Sequence, residues 1–238
     1  MRKRRFLYLH GFASSPASKK AAELSRRFAR RGIHLEAPDL TDGDFRTMTI
    51  SRQLEVVRRT LLGDPAVLIG SSLGGYVAAL YAARHPEIER LVLLAPAFGV
   101  ARRWEKWLGP EGLRRWRETG EYRFFHYATG REEALAYDFF EDARRWEDFP
   151  AVRQPVLVCH GTGDEVVPVE VAREFARRTP RTRLRLLDSG HDLLDAAAPI
   201  WAAIEDFLGL PRSPAALRSR EESPRTSQPA GPGADEVS

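Results

Sequence analysis

Ala66-Val67-Leu68-Ile69 runs directly into Gly70-Ser71-Ser72-Leu73-Gly74-Gly75, and the segment from Tyr76 to Arg84 that follows is rich in helix formers. An apolar stretch with no glycine or proline inside it reads as a strand buried on both faces, and the segment after the glycines reads as a helix. A chain that passes from strand to helix through Gly-x-Ser-x-Gly must double back sharply at the serine. A Cβ two residues to either side would collide with the returning chain, so those positions take glycine. Gly70 and Gly74 flank Ser72 in this way, whereas the equivalent neighbours of Ser71 are Ile69 and Leu73. Ser72 is therefore the side chain presented at the turn.

The same alternation runs through most of the chain. Strands are expected at Arg5 to Leu9, Ile33 to Ala37, Ala66 to Ile69, Leu91 to Leu94, Val156 to Cys159 and Leu184 to Leu187. Helical patterns fall at Lys19 to Arg30, Ile50 to Leu62, Tyr76 to Arg84, Val169 to Arg178 and Ala197 to Leu208. This predicts an α/β fold of about six mostly parallel strands with helices on both faces. The rhythm stops between Phe98 and Pro150, where 13 of the 23 aromatic residues gather. Residues 98–150 read as a helical cap inserted into a core formed by 1–97 and 151–210. Most of its aromatics are expected to pack on one another, with three or four facing an apolar pocket. Residues 211–238 hold five prolines, five serines and only Leu217 and Val237 as aliphatics. So little apolar surface cannot offset the entropy of ordering, and this tail is expected to be disordered.

Charge and cysteine content narrow the partners. The net charge is +4, from 37 basic and 33 acidic residues, and Arg2-Lys3-Arg4-Arg5 alone contributes four of the positive charges. Elsewhere the basic residues are interspersed with acidic ones, so no nucleic-acid partner is expected. No apolar run is long enough to cross a bilayer, so no membrane partner is expected either. A single cysteine, Cys159, can form no internal disulfide, which fits a reducing, cytoplasmic setting. Neither a zinc-ligand spacing nor a phosphate-binding loop is present, so no metal or organic cofactor is expected.

A serine hydroxyl is a weak nucleophile near neutral pH and needs a base, usually histidine, held by a carboxylate. On a parallel sheet such groups lie beyond the carboxyl ends of strands. Past the Val156 strand the sequence reads His160-Gly161-Thr162-Gly163-Asp164-Glu165, and past the last strand it reads Asp188-Ser189-Gly190-His191. Asp164 is the expected carboxylate, with Glu165 a weaker candidate, and His191 is the expected base. His160 precedes Asp164 on the same loop and reads as its support. His34, His85 and His126 sit in places without that geometry. Charge developing on a substrate oxygen needs two backbone N–H groups aimed at it. Leu73, first after the serine at the positive end of a helix, is expected to supply one, and Phe12, in Leu9-His10-Gly11-Phe12, the other. His10 reads as an orienting residue for that loop, and Ser14, Ser15 and Ser18 as caps for the helix after it.

With these blocks in this order the chain resembles the α/β-hydrolase superfamily over about residues 5 to 208. The stretches Tyr8-Leu9-His10-Gly11-Phe12-Ala13-Ser14-Ser15-Pro16-Ala17-Ser18-Lys19 and Gly70 to Tyr76 look like the small bacterial esterases of the YqiA/YcfP type. They are also similar to the acyl-protein thioesterase and acyl-glucuronide esterase group. The first two strands of the full eight-stranded superfamily sheet are expected to be missing here, and the aromatic cap is longer than in the smallest esterases. The resemblance implies hydrolysis of a small-molecule acyl ester or thioester through an acyl-enzyme on Ser72. Peptidase, carbon–carbon bond hydrolase and haloperoxidase chemistry on the same scaffold are the alternatives, as is a non-catalytic small-molecule binding protein.

Overall fold

A computed structural model describes residues 4–210. The expected disordered tail, 211–238, lies outside the described residues. Five parallel strands, β1 (Arg5–Leu9), β2 (Ala66–Ser71), β3 (Ile88–Leu94), β6 (Val156–Gly161) and β7 (Thr182–Leu187), form one sheet in the order β1-β2-β3-β6-β7. Helices fill the connections: α1 (Lys19–Ala29), α2 (Ile50–Leu61), α3 (Leu73–Ala82), α6 (Val169–Arg178) and α7 (Ala197–Leu208). Among the described residues no helix is long and apolar enough to cross a membrane.

Side-chain alternation along the strands divides the core in two. Leu7, Leu9, Leu68, Leu91 and Leu93 face α2, α3 and α6, while Tyr8, Val67, Ile69, Val92 and Leu94 face α1 and α7. The helices match these faces. Ala21, Leu24 and Phe28 line one side of α1, and the Ser18 hydroxyl caps its start by accepting the Ala21 N–H at 3.3 Å. Helix α3 is buried on every side, which suits its apolar sequence, because the sheet lies beneath it and residues 98–150 lie over it.

Ile33 to Ala37 does not form a sixth full strand. It touches the outer edge of β1 by one parallel bridge, Leu7 to Glu36, with Tyr8 N–H donating to Glu36 O at 2.7 Å and Glu36 N–H donating to Phe6 O at 2.9 Å. Gly32 turns the chain just before it with φ +70°, and Pro38 just after it has no N–H to lengthen the ladder.

Residues 98–150 contain the expected helices, α4 (Val100–Thr119, kinked at Gly109 before Pro110) and α5 (Asp138–Ala143). They also contain an antiparallel hairpin, β4 (Glu121–His126) and β5 (Arg131–Ala136), which the sequence reading does not foresee. Tyr122, Phe124 and His126 turn inward along β4 while Arg123 and Phe125 face out. Buried Trp116 of α4 donates its indole N–H to Leu135 O at 3.0 Å. Several contacts tie this segment to the core, four of them as follows. Tyr76 hydroxyl donates to Glu147 O at 2.9 Å, and Tyr127 N–H donates to Ala13 O at 2.9 Å. The Asp142 carboxylate accepts both the N–H and the hydroxyl of Ser51, at 2.8 and 2.6 Å.

Candidate active site

Ser72 sits between β2 and α3 with φ +52° and ψ −118°, a backbone conformation that costs about 1–3 kcal/mol and persists only where the surroundings enforce it. The glycines at ±2 leave the room that this turn needs. A Cβ on Gly70 would lie 2.4 Å from Gly74 O, and one on Gly74 would lie 2.1 Å from Leu9 O. Both are hard clashes with backbone, so α3 can start this close to β1 and β2 only with glycine at these positions.

His191 lies on the loop after β7 and Asp164 on the loop after β6. The imidazole bridges the other two groups, with Nε2 3.0 Å from Ser72 Oγ and Nδ1 2.8 Å from Asp164 Oδ2. An ionised carboxylate only accepts, so Nδ1 carries the proton and Nε2 presents its lone pair to the serine hydroxyl. The Ser189 hydroxyl donates to Asp195, and Gly163 N–H donates to Ser189 O at 3.1 Å, which pins the histidine loop to the aspartate loop.

Asp164 keeps its charge despite a fully buried side chain. Burial opposes ionisation, but hydrogen bonds from His160, His191 and the Val167 N–H outweigh it and hold the carboxyl well below the usual range. Oδ1 accepts the Val166 and Val167 N–H groups at 2.9 and 2.8 Å, and Oδ2 faces His160 Nε2 at 3.2 Å as well as His191. His160 Nε2 also lies 2.9 Å from Val167 O. Two acceptors around one nitrogen make Nε2 the protonated one. His160 therefore supports the aspartate, in the role its position suggested. Glu165 makes no hydrogen bond or ion pair with His191 among the described residues; its neighbour Asp164 holds that place.

Gly11 packs against the serine, since a Cβ there would lie 3.3 Å from Ser72 Cβ. The next residue is Phe12. Neither the Phe12 N–H nor the Leu73 N–H is taken by another protein group among the described residues. His10 fixes the loop below them, with Nε2 accepting the Leu40 N–H at 3.0 Å. Burial depresses its pKa, which keeps it neutral and able to accept there. The Phe12 ring is surrounded by Phe45, Trp104, Phe124 and Phe139, with centroids 5.0–6.0 Å away. Three of these four belong to the segment 98–150. Arg103 of α4 links that segment to the acid loop, donating from Nε to Phe98 O and from Nη1 to Val166 O, at 3.1 and 3.2 Å.

Sequence reasoning did not single out Lys20. Its ammonium donates to the hydroxyl of Ser71, the residue before the nucleophile, at 2.9 Å. A lysine in the first turn of an amphipathic helix carries no signal of such a contact.

Comparisons place the chain in a family. A family model described as "Uncharacterised protein family (UPF0227)" matches residues 5–208. The AB hydrolase superfamily protein YisY of Bacillus subtilis is 26% identical over 235 residues, covering 79% of this chain and 85% of that protein. A pimeloyl-[acyl-carrier protein] methyl ester esterase of Aromatoleum aromaticum is 32% identical over 175 residues, covering 55% of this chain and 68% of that protein. Among solved structures, alpha/beta hydrolase domain-containing protein 10 from mouse superposes with a TM-score of 0.73 at 21% identity, covering 88% of this chain and 91% of that one.

Proposed function

The chain belongs to the family UPF0227 and has the α/β-hydrolase fold, and from that premise we propose that it is a serine hydrolase cleaving carboxylic esters or thioesters. The observation that carries the reading is the unbroken hydrogen-bonded line from Ser72 through His191 to Asp164. Esterase activity in the name of the Aromatoleum relative is in keeping with it.

In this reading Ser72 Oγ attacks the acyl carbon while its proton passes to His191 Nε2. Asp164 stabilises the resulting imidazolium and keeps Nδ1 protonated throughout. The free N–H groups of Phe12 and Leu73 receive the negative oxygen, and the dipole of α3 adds to the field there. The bond to the alcohol or thiol then breaks, and the leaving group takes its proton from His191. Water repeats the sequence in reverse, delivering a hydroxyl to the acyl carbon and returning Ser72 to its starting state. Trp104 and Phe124, partly buried beside Phe12, form the apolar wall against which the acyl chain rests.

Hydrolysis of p-nitrophenyl esters from acetate to palmitate, by wild type and Ser72→Ala in parallel, tests this. Activity confined to the wild type is expected, with the preferred chain length gauging the space beside Phe12. Equal activity in both proteins, or none in a folded wild type, would remove the assignment.

A further inference from the structure

Lys20 is an unusual residue for its place. It lies in the first turn of α1, where the helix dipole disfavours a cation, and that turn contains no acidic residue. Its side chain turns inward and makes no ion pair among the described residues; its hydrogen-bond partner is Ser71 Oγ at 2.9 Å. Ser71 is itself buried at the end of β2, one residue from the nucleophile. The Tyr8 hydroxyl from β1 lies close to Ser71 and to Ser18, the cap of α1. Four side chains from β1, β2 and the start of α1 thus meet under the turn that presents Ser72. The loop joining β1 to α1 carries Gly11 and Phe12, so this knot fixes the Phe12 N–H relative to the serine.

We propose that Lys20 is a positioning residue of the hydrolytic site: through its charge-assisted bond to Ser71 it holds the Phe12 loop and the Ser72 turn in reacting register. The inference rests on Ser72 being the nucleophile. A surface cation would be hydrated and would gain little here. A partly buried ammonium bound to a hydroxyl gains more, because charged donors bond about twice as strongly as neutral ones. Burial lowers the Lys20 pKa to about 8, against the upward pull of Asp192 from the histidine loop and Asp164 from the acid loop. Tyr8, the other titratable group in the knot, is pushed by burial up to about 12 and stays neutral throughout. Above pH 8 the Lys20 bond loses its charge, and the register loosens while the nucleophile and base remain intact.

The test is the rate at which a fluorophosphonate labels Ser72, measured against probe concentration and pH in wild type, Lys20→Met, Ser71→Ala and the double variant. In wild type the maximal labelling rate should fall as pH rises through about 8. In Lys20→Met it should be about 10- to 100-fold lower, the scale set by a misplacement of up to 1 Å, with the half-saturating concentration little changed and the alkaline fall gone. Ser71→Ala should behave alike, and the double variant should be no slower than the slower single one, since both break the same link. If Lys20→Met does not fold, Ser71→Ala carries the same readings. Labelling of Lys20→Met or Ser71→Ala at the wild-type rate with the wild-type pH profile would overturn the proposal, as would losses that multiply in the double variant. A lowered melting temperature with the alkaline fall preserved would also overturn it. No labelling of wild type at all would overturn both this proposal and the hydrolase reading, so the two failures are distinct.

Discussion

Replacing Gly161 with alanine should separate His191 from Asp164 without touching either. Gly161 ends β6, and its Cα faces the Ser189–Gly190 peptide that leads into the histidine. A Cβ there would lie 2.3 Å from Ser189 O and 2.6 Å from Gly190 O, whereas real Cβ atoms essentially never come under 3.0 Å. The two loops must therefore part by at least about 0.7 Å. Applied along the His191–Asp164 bond, that takes 2.8 Å to about 3.5 Å, beyond good hydrogen-bond length. A shift of that order at a reacting group costs up to about 10²-fold in rate. Overpacking of this kind costs about 1–3 kcal/mol in stability, and at this size each kcal/mol lowers Tm by roughly 2–4 °C. Two neighbours provide the scale. A Cβ on Gly163 would meet Ser189 O at 3.4 Å, an ordinary contact, and one on Gly190 would meet nothing within 4 Å. The expected order of damage in kcat on p-nitrophenyl butyrate and in thermal melts is Gly161→Ala, then Gly163→Ala, then Gly190→Ala close to wild type. Gly161→Ala matching Gly190→Ala in kcat would show that the loop spacing does not set the His191–Asp164 geometry.

Other expectations follow from single groups. Asp164→Asn should lower kcat by about 10⁴-fold by removing the acceptor that selects the histidine tautomer, with KM little changed in steady-state assays. Because hydrogen bonds depress the folded pKa of Asp164, its contribution to stability is complete above the unfolded value of about 4 and is lost as pH falls toward the folded one. Thermal melts should therefore show wild type losing its advantage over Asp164→Asn between about pH 4 and lower values; a gap that widens on acidification would contradict the assignment. Cys159 is fully buried, and burial pushes its thiol up to about 12. An aromatic disulfide reagent should leave it untouched in the native protein and react with one equivalent after denaturation; rapid native reaction would mean the sheet opens there.

The parts of the fold legible in the sequence are those specified by local, one-dimensional constraints. Gly70 and Gly74 at ±2 from Ser72 mark a turn that only glycine permits, and the apolar runs at Ala66 to Ile69 and Val156 to Cys159 announce strands buried on both faces. Asp164 could be nominated because it lies just past such a strand, and His191 because it lies just past the last strand, an exposed edge strand. The structure brings both onto one line with Ser72. The hairpin in 98–150 was hidden for a physical reason: Arg131-Glu132-Glu133-Ala134-Leu135-Ala136 consists of good helix formers. Its strand state comes from pairing with β4 and from the Trp116 indole bound to Leu135 O, neither of which a local reading contains. Ile33 to Ala37 errs in the opposite direction, a strand-like stretch cut to a single bridge by Gly32 and Pro38. Lys20 was illegible because its importance depends on which residue lies opposite it, 51 positions along the chain.

The most direct test of the account is to treat wild type and Ser72→Ala with a fluorophosphonate, digest them, and locate the adduct by mass. The account predicts one adduct, on Ser72, in wild type, and none in a folded Ser72→Ala protein. An adduct on another residue, or equal labelling of both proteins, would contradict Ser72 as the nucleophile and with it the proposed chemistry.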